Sequence, residues 1–237
     1  MMKKVVYITG GTKGIGFGMA EKLVEAGYRV AISGRSLDTA KKAAAKIGKE
    51  DKIIGLASDV RKLDSEEKAV AKVKDHFGRL DVMIANAGLG VFDNIRDLKP
   101  EDWHKMIDTN LTGVFNSIKA SVEDLVANKG YFISIASLAG INFFGKGSGY
   151  NASKFGVVGF TQSVMLDLRA EGVKTTTILP GSVTSHFNNH NPDPSKDAWK
   201  IQPEDMGELV VDLLKMNPRA LPSKVEIRPT QTADMLK

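Results

Sequence analysis

Tyr150, Lys154 and Ser137 have the side-chain types and spacing needed to move a proton to or from a carbonyl oxygen. Tyr150 and Lys154 lie four positions apart in YNASK, so a helix would place both on one face. A tyrosine hydroxyl has a pKa near ~10, and an ammonium one turn away is expected to lower it. Ser137 could stabilise a developing alkoxide. The three residues predict an acid/base centre in which Tyr150 donates and accepts the proton.

A glycine-rich turn, TGGTKGIG at 9–16, lies between the predicted first strand and first helix. Gly10, Gly14 and Gly16 have the spacing G-x-x-x-G-x-G. Such glycines allow a sharp turn, the approach of a pyrophosphate to the helix N-terminus, and close packing of helix and strand. A P-loop would need Lys followed by Ser or Thr after its last glycine, whereas Phe17 follows Gly16 here. The turn predicts a dinucleotide site, and the alternative is a tight connection without a ligand.

The end of the predicted second strand, SGRS at 33–36, indicates which dinucleotide is bound. A cofactor with a free ribose 2′-hydroxyl favours Asp or Glu here, and no acidic residue occurs before Asp38. Arg35 could bind a 2′-phosphate with its guanidinium fork, and Lys13 could reach the same phosphate from the glycine turn. We therefore expect NADP(H) rather than NAD(H). The alternative for Arg35 alone is an ordinary surface arginine.

The elements that must position these residues follow an alternating pattern along the chain. Short apolar segments predict strands at 4–9, 29–33, 52–57, 80–85, 130–136, 174–179 and 224–228. Segments with helical spacing predict helices at 14–27, 37–48, 63–77, 100–128, 149–171 and 203–216. Apolar strands that alternate with helices indicate a parallel sheet covered on both faces.

Two architectures have this alternation. A TIM barrel needs eight strand–helix units, which is more than the seven strands and six helices predicted here. A doubly wound sheet accommodates that number and also explains the glycine turn. We therefore predict a single α/β domain of the Rossmann type over 1–237, with a seven-stranded parallel sheet. Residues 1–135 are expected to bind mainly the cofactor, and 136–237 to supply the catalytic groups and a substrate lid.

The composition excludes several other classes of protein. The 237 residues are 42% hydrophobic and include no cysteine, so the chain can bury a large core but cannot form disulfides or thiolate metal sites. The net charge of +5 is spread over mixed segments such as DTAKKAAAKIGKED (38–51), which argues against nucleic-acid binding. No apolar run is long enough for a signal peptide or a membrane span. We expect a cytoplasmic protein that binds neither nucleic acid nor a membrane.

Further motifs accompany the glycine turn and the tyrosine–lysine pair. They are Asp59–Val60, Asn86–Ala87–Gly88, NLTGVF (110–115) and PGSVTS (180–185). With these motifs the chain resembles the short-chain dehydrogenase/reductases over nearly its whole length. The resemblance implies an NADP(H)-dependent oxidoreductase that transfers hydride between a nicotinamide and a small-molecule carbonyl or secondary alcohol. It implies no metal.

The resemblance also implies a role for each matching position. The implied catalytic set is Asn110, Ser137, Tyr150 and Lys154. The implied cofactor-binding set is Gly10, Thr12, Lys13, Gly14, Ile15, Gly16, Arg35, Asp59, Val60, Asn86, Ala87, Gly88, Tyr150, Lys154, Pro180, Gly181, Val183 and Thr184. Residues 59–60 would line the adenine, 86–88 would shape the channel beneath the ribose, and 180–184 would hold the nicotinamide amide. Asn110 would bind a water that relays protons to Lys154, and Lys154 would also hold the nicotinamide ribose.

The substrate is less well defined by the sequence. The chain ends VEIRPTQTADMLK (225–237), without the glycine pair that usually closes the family's 3-oxoacyl-carrier-protein reductases. We therefore predict a carbonyl reductase or alcohol dehydrogenase, with the 3-oxoacyl-carrier-protein reductase as the alternative. A catalytically inactive NADP(H)-binding regulator is a remote alternative, because all four catalytic positions are filled.

Two segments leave alternatives open. His186 and His190 are four apart, but no third metal ligand is evident, and 185–200 is either a substrate lid with Phe187 and Trp199 as its apolar face or a surface loop. The helix at 149–171 has apolar residues around more than one face. A second subunit could cover the extra face, and the resemblance implies a homodimer or homotetramer through helices 100–128 and 149–171. The alternative is burial within the monomer.

Overall fold

Seven parallel strands form one sheet in the computed structural model, which describes residues 3–185, 187 and 190–236. The strands are β1 (Val5–Ile8), β2 (Arg29–Gly34), β3 (Ile53–Ala57), β4 (Val82–Ala85), β5 (Tyr131–Ile135), β6 (Lys174–Pro180) and β7 (Lys224–Ile227). Their order is β3-β2-β1-β4-β5-β6-β7. All seven predicted strands and the doubly wound α/β fold are confirmed. The strand order reverses between β1 and β4, which places a ligand crevice beyond the carboxyl ends of these strands.

Helices cover both faces of this sheet. They are α1 (Gly14–Glu25), α2 (Leu37–Ile47), α3 (Leu63–Phe77), α4 (Pro100–Ile107), α5 (Gly113–Asn128), α6 (Ser148–Leu168), α7 (Pro194–Asp197) and α8 (Pro203–Lys215). The inner strands read as continuous apolar runs because both of their faces are covered, and every residue of β1, β4 and β5 is buried. One apolar core lies on each side of the sheet.

The predicted helix over 100–128 is helical throughout but contains one irregular turn. A π-helical turn, Asp108–Thr112, separates α4 from α5, although the helical path continues through it. A π turn inserts an extra residue into the helical ladder and is frequent at functional sites. Here it contains Asn110, one of the predicted catalytic residues.

The first and last long helices pack directly against each other. A β-carbon added to Gly18 of α1 would lie 2.5 Å from the backbone of Pro203, the first residue of α8. The Nζ of Lys22 on α1 also lies 3.7 Å from a carboxylate oxygen of Glu208 on α8. The amino-terminal and carboxyl-terminal parts of the chain therefore share one apolar core, on the side of the sheet that both helices cover.

The described residues include neither a membrane-spanning helix nor a metal-binding cluster. Within the described ranges, no helix combines the length and hydropathy that a membrane crossing requires. The same part of the chain contains no group of three His, Asp or Glu side chains placed to hold a metal ion. His186, half of the histidine pair considered above, lies outside the described residues.

Candidate active site

Tyr150 and Lys154 lie on the buried face of α6, as their spacing predicts. Both side chains are less than a tenth exposed, and the Lys154 Nζ lies 5.8 Å from the centre of the Tyr150 ring. The lysine donates a hydrogen bond of 2.9 Å to the carbonyl oxygen of Ile135, the last residue of β5. An ammonium has three N–H donors, so this bond leaves two donors for another group.

Burial changes the pKa values at this centre, and its effect on the pKa of Tyr150 is opposite to the lowering expected from Lys154. Removal from water raises the pKa of Tyr150 to about 12, and a hydrogen bond with Ser137 lowers it only in part. The same burial lowers the pKa of Lys154 to about 8. Spacing alone could not predict this result, because the groups that exclude water from Tyr150 come from distant segments.

Ser137 follows β5 and begins the 3₁₀ turn at Leu138–Gly140. Its hydroxyl oxygen accepts a hydrogen bond of 3.1 Å from the backbone N–H of Ala139. This bond fixes the oxygen while the hydroxyl proton remains available to the neighbouring Tyr150 oxygen. The structure thus brings Ser137, Tyr150 and Lys154 together.

Asn110, in the π turn, is fully buried and is held on both sides of its amide. Its Oδ1 accepts a 2.8 Å hydrogen bond from the Leu89 N–H, and its Nδ2 donates to the Leu89 carbonyl at 2.8 Å and to Ser153 Oγ at 3.0 Å. Ser153 Oγ in turn donates to the Tyr150 carbonyl at 2.8 Å. Asn110 therefore links the π turn to the helix that carries Tyr150. Ser153 could not be predicted as part of the site, because no spacing signal distinguishes it from an ordinary helix residue.

The glycine turn is attached to the end of β4 by two polar side chains. The Asn86 amide donates to the carbonyl oxygens of Thr9 and Gly10, and the Thr9 hydroxyl accepts from the backbone N–H groups of Asn86 and Ala87. Gly10 has a φ of +66°, and a β-carbon there would lie 2.9 Å from the Ala87 Cα. A β-carbon on Gly16 would lie 2.6 Å from the Asn86 amide. The turn can therefore approach β4 only with glycine at these positions.

Lys13 and Arg35 lie on one rim of the crevice. The Gly11 N–H donates to the Ser33 carbonyl at 3.0 Å, and a β-carbon on Gly34 would lie 2.7 Å from the Thr12 methyl. The residues that follow, Lys13 and Arg35, are both exposed. In the part of the chain that the structure describes, neither cation forms an ion pair. Nearby, Ile15 packs against the core under the turn.

Asp59 and Val60 lie at the carboxyl end of β3. The Asp59 carboxylate forms two hydrogen bonds with the Arg61 guanidinium, of 2.8 and 2.6 Å, and these bonds keep the pKa of Asp59 below its ordinary value. Val60 is buried, and its side chain contacts Gly113 at the start of α5. Gly88 lies between two catalytic candidates, since a β-carbon on it would be 3.3 Å from Asn110 Oδ1 and 3.7 Å from Lys154 Nζ.

The PGSVTS segment continues from β6 and is held in place by hydrogen bonds to later parts of the chain. The Gly181 N–H donates to the carbonyl of Ile227, the last residue of β7, and Val183 pairs with Ile201. Thr184 is buried, and its hydroxyl donates to the Asp197 carbonyl at 3.3 Å and accepts from Gln202 Nε2 at 3.1 Å. Pro180, Gly181, Val183 and Thr184 thus form one continuous path beside the crevice.

Asp197 organises residues 190–200, and it was not predicted as a structural or functional residue. Its carboxylate lies 2.5 Å from the Lys200 Nζ and 2.6 Å from the His190 Nε2, and it accepts from the Asp193 N–H at 3.1 Å. The Lys200 and His190 contacts hold the pKa of this buried carboxyl well below its usual range. Residues 190–200 are therefore folded around Asp197. The sequence of 185–200 is rich in polar residues, and nothing in it indicates which aspartate is buried.

Comparisons with known proteins agree with this geometry. Residues 4–195 match the family model described as short chain dehydrogenase. An uncharacterised oxidoreductase of Staphylococcus aureus (strain MRSA252) is 30% identical over 228 residues, which is 95% of this chain and 97% of that protein.

Two solved structures extend the likeness to three dimensions. An alcohol dehydrogenase from the archaeon Thermococcus sibiricus, complexed with 5-hydroxy-NADP, has a TM-score of 0.91 and 30% identity, over 97% of this chain and 98% of that one. The closed form of a serine dehydrogenase complexed with NADP+ has a TM-score of 0.87 and 27% identity, over 96% of each chain. Sequence, fold and site geometry lead to the same conclusion, and the chain belongs to the short chain dehydrogenase family.

Proposed function

We propose that the protein is an NADP(H)-dependent oxidoreductase that interconverts a carbonyl compound and the corresponding secondary alcohol. The observation that carries the proposal is the cluster of Tyr150, Lys154 and Ser137 beyond the carboxyl ends of β4 and β5, in which Tyr150 and Lys154 are buried. A hydroxyl group and an amine that share one water-poor site are suited to proton transfer at an oxygen atom.

The residues of the crevice fit a nicotinamide dinucleotide. The glycine turn leaves a cradle that β-carbons would fill, and it opens onto the N-terminus of α1, where unpaired N–H groups favour a pyrophosphate. The two unused donors of the buried Lys154 are placed to bind ribose hydroxyls beside Gly88. Asp59 and Val60 would line the adenine, and residues 180–184 would hold the nicotinamide amide.

The proposed preference for the 2′-phosphate rests on the exposed pair Lys13 and Arg35. The complexes of the Thermococcus sibiricus and serine dehydrogenases with NADP-type molecules support it by analogy. Titration of the purified protein with NADPH and NADH tests the preference, and we expect NADPH to bind at least tenfold more tightly. Arg35→Ala and Lys13→Ala should each reduce that ratio, with Lys46→Ala as the exposed control. Equal affinities for the two cofactors would contradict the assignment.

A nicotinamide held in this crevice would supply or accept the hydride at the carbonyl carbon. Ser137 holds the substrate oxygen by a hydrogen bond, and Tyr150 donates its phenolic proton to that oxygen to complete the alcohol. Lys154 stabilises the resulting tyrosinate, which offsets the burial that otherwise raises the tyrosine pKa. Asn110 keeps the π turn against α6, on the path by which a proton would return to Lys154. Oxidation of the alcohol runs through the same groups in reverse.

The variant Tyr150→Phe tests this mechanism, because it removes one oxygen from a packed ring. We expect NADPH affinity to remain within about threefold and carbonyl reduction to fall by ~100-fold or more. Tyr131→Phe is the matched control, since the Tyr131 hydroxyl bonds Thr176 away from the crevice. Near-normal turnover in the Tyr150 variant would exclude Tyr150 as the acid/base. Cofactor binding without turnover in the wild-type protein would instead favour the inactive regulator.

We also propose that the protein acts as one domain and assembles as a homodimer or homotetramer through α4–α5 and α6. The buried face of α6 packs on the sheet, but its opposite face presents an exposed stripe of small and apolar residues: Ala152, Phe155, Gly159, Ser163 and Leu166. The Phe160 ring on α6 stacks edge-on against the half-exposed Phe115 of α5 at 6.2 Å. This continuous apolar surface supports a second copy of the chain as its cover.

A further inference from the structure

Two aromatic rings pack against the ring of Tyr150. The ring of Phe92 lies 5.4 Å from the Tyr150 ring in an edge-to-face arrangement, and the ring of Phe187 lies 5.6 Å away. Phe92 also contacts Phe187 at 6.3 Å and Phe144 at 5.7 Å. We refer to Phe92, Phe144 and Phe187 as the phenylalanine cluster.

The cluster is assembled from three separate parts of the chain. Phe92 follows β4, Phe144 lies in the loop before α6, and Phe187 follows the PGSVTS segment after β6. These are the segments that leave the carboxyl ends of the strands around the crevice. Space for the rings depends on Gly90, where a β-carbon would lie 2.7 Å from the Phe187 ring and 2.9 Å from the Phe92 ring. The rings therefore meet beside Tyr150, where Phe92 and Phe187 pack on the small apolar group that contains it.

The surroundings of the cluster are apolar as well. Tyr150 packs in a small hydrophobic group with Met106 and Ala139, and partly buried Leu89, Val91 and Leu98 pack against it. Outside this group, Phe144 remains 47% exposed and the neighbouring Phe143 is 87% exposed. A charged substrate group placed among these side chains would lose its hydration without gaining a partner. A flat apolar group would instead gain ring contacts and cover exposed aromatic surface.

Resting on the proposed carbonyl reduction, we propose that the substrate is an aromatic aldehyde or ketone whose aryl group is bound by the phenylalanine cluster. The carbonyl oxygen then meets the hydroxyls of Tyr150 and Ser137. Hydride from NADPH forms the new C–H bond, the Tyr150 proton forms the O–H bond, and the products are the aryl alcohol and NADP+. Phe92, Phe144 and Phe187 are specificity-determining residues, since they contact the part of the substrate that does not react.

Oxidation of NADPH with three carbonyl probes tests the proposal. The probes are benzaldehyde, which is aromatic and apolar, glyoxylate, which is a small anionic aldehyde, and an acetoacetyl thioester. We expect kcat/KM for benzaldehyde to exceed that for glyoxylate by at least 100-fold and that for the thioester by at least tenfold. Higher kcat/KM for glyoxylate or the thioester would overturn the aryl assignment and leave the carbonyl reduction in place. No oxidation with any probe, despite NADPH binding, would count against the proposed function itself.

Variants of the phenylalanine cluster show which residues bind the aryl group. Phe144→Ala is the primary variant, because its side chain is half-exposed and its loss leaves the core intact. We expect it to lower the ratio of kcat/KM for benzaldehyde to kcat/KM for glyoxylate at least fivefold, mainly by raising KM for benzaldehyde. Phe92→Ala should raise the same KM further, and Leu37→Ala, an exposed apolar position on α2, is the control. Equal losses for benzaldehyde and glyoxylate in both cluster variants would contradict aryl recognition.

Discussion

At the scale of single residues, the described part of the chain buries one lysine and one glutamate that have no oppositely charged partner beside them. Lys154 is enclosed near Tyr150, and Glu66 on α3 is enclosed near the carboxyl end of β3, where it bonds Ser58. In the part of the chain that the structure describes, neither side chain is in an ion pair. Burial without a countercharge favours the neutral form of each group, so both should link stability to pH.

For Lys154, the folded-state pKa of about 8 lies below its ordinary value of 10.5. Between these values the unfolded chain binds the proton and the folded chain does not, so stability rises with pH. We expect the wild-type protein to gain about 2 to 3 kcal/mol between pH 8 and pH 10 relative to Lys154→Met. Urea unfolding of both proteins at each pH provides the measurement. Parallel pH profiles would show that the lysine is not desolvated in this way.

The change of stability with pH that is expected from Glu66 has the opposite sign. Its carboxylate accepts hydrogen bonds from Ser58 Oγ at 2.5 Å, Ser117 Oγ at 3.0 Å and the Tyr7 hydroxyl at 3.1 Å, yet burial raises its pKa above 4.5. Above pH 4.5 the unfolded chain releases the proton first, so the carboxylate lowers the stability of the folded protein as pH rises.

We therefore expect the free energy of unfolding of Glu66→Gln to increase, relative to the wild-type protein, from pH 4 to pH 7. Chemical unfolding across that range checks the trend, and Glu67→Gln, at the exposed neighbouring position, is the control. A difference that stays constant or reverses over the range would contradict a raised folded-state pKa for Glu66.

At the scale of elements, glycine can be required for two separate reasons: a positive φ, or a neighbour too close for a β-carbon. Gly10 and Gly27 both have positive φ, of +66° and +89°, but only Gly10 has a neighbour within reach of an added β-carbon. Gly27→Ala should therefore cost only the backbone strain, roughly 1 to 2 kcal/mol. Gly10→Ala adds a clash with Ala87, so we expect a cost of about 2 to 4 kcal/mol.

The two variants also separate folding from binding. Gly10→Ala should weaken NADPH binding at least tenfold, because the turn must move away from β4, whereas Gly27→Ala should not change it. Thermal unfolding and NADPH titration of both variants make the comparison. Equal behaviour of the two would mean that the contact with Ala87 has no role in shaping the turn.

The elements also show what the sequence can and cannot predict. The strands were predictable because burial on both faces leaves an uninterrupted apolar run, as in Val5–Ile8. The π turn was not, because its extra residue is stabilised by contacts of Asn110 with Leu89 and Ser153 on other elements. The raised pKa of Tyr150 likewise depends on residues far away in sequence, whereas Asp197 is buried by the way residues 190–200 fold around it. Local pattern therefore predicts which residues enter the site, and long-range packing decides their chemistry.

At the scale of the whole molecule, the exposed stripe of α6 predicts an assembly that charge should disrupt. Leu166 is 60% exposed in the single chain, although it is a large apolar residue. We expect sedimentation of the wild-type protein to give a dimer or tetramer. Leu166→Glu should shift it toward monomer, because the new carboxylate would lose its hydration in the interface.

Leu37→Glu supplies the comparison, since it places the same charge at another exposed leucine, on α2. It should leave the assembly unchanged. A monomeric wild-type protein, or an unchanged assembly in Leu166→Glu, would show that α6 is not the interface.

The packing of α1 against α8 has a consequence for how the protein is made. The ribosome releases α1 first, and its partner surface around Pro203 emerges only about 180 residues later. At ~5–20 residues per second, the nascent chain exposes the apolar side of α1 for roughly 10 to 40 seconds. During that interval the glycine turn is already complete in sequence but has no finished core beneath it. A chaperone that shields this helix would therefore raise the yield of active protein, and a nascent chain halted before α8 should remain sensitive to protease.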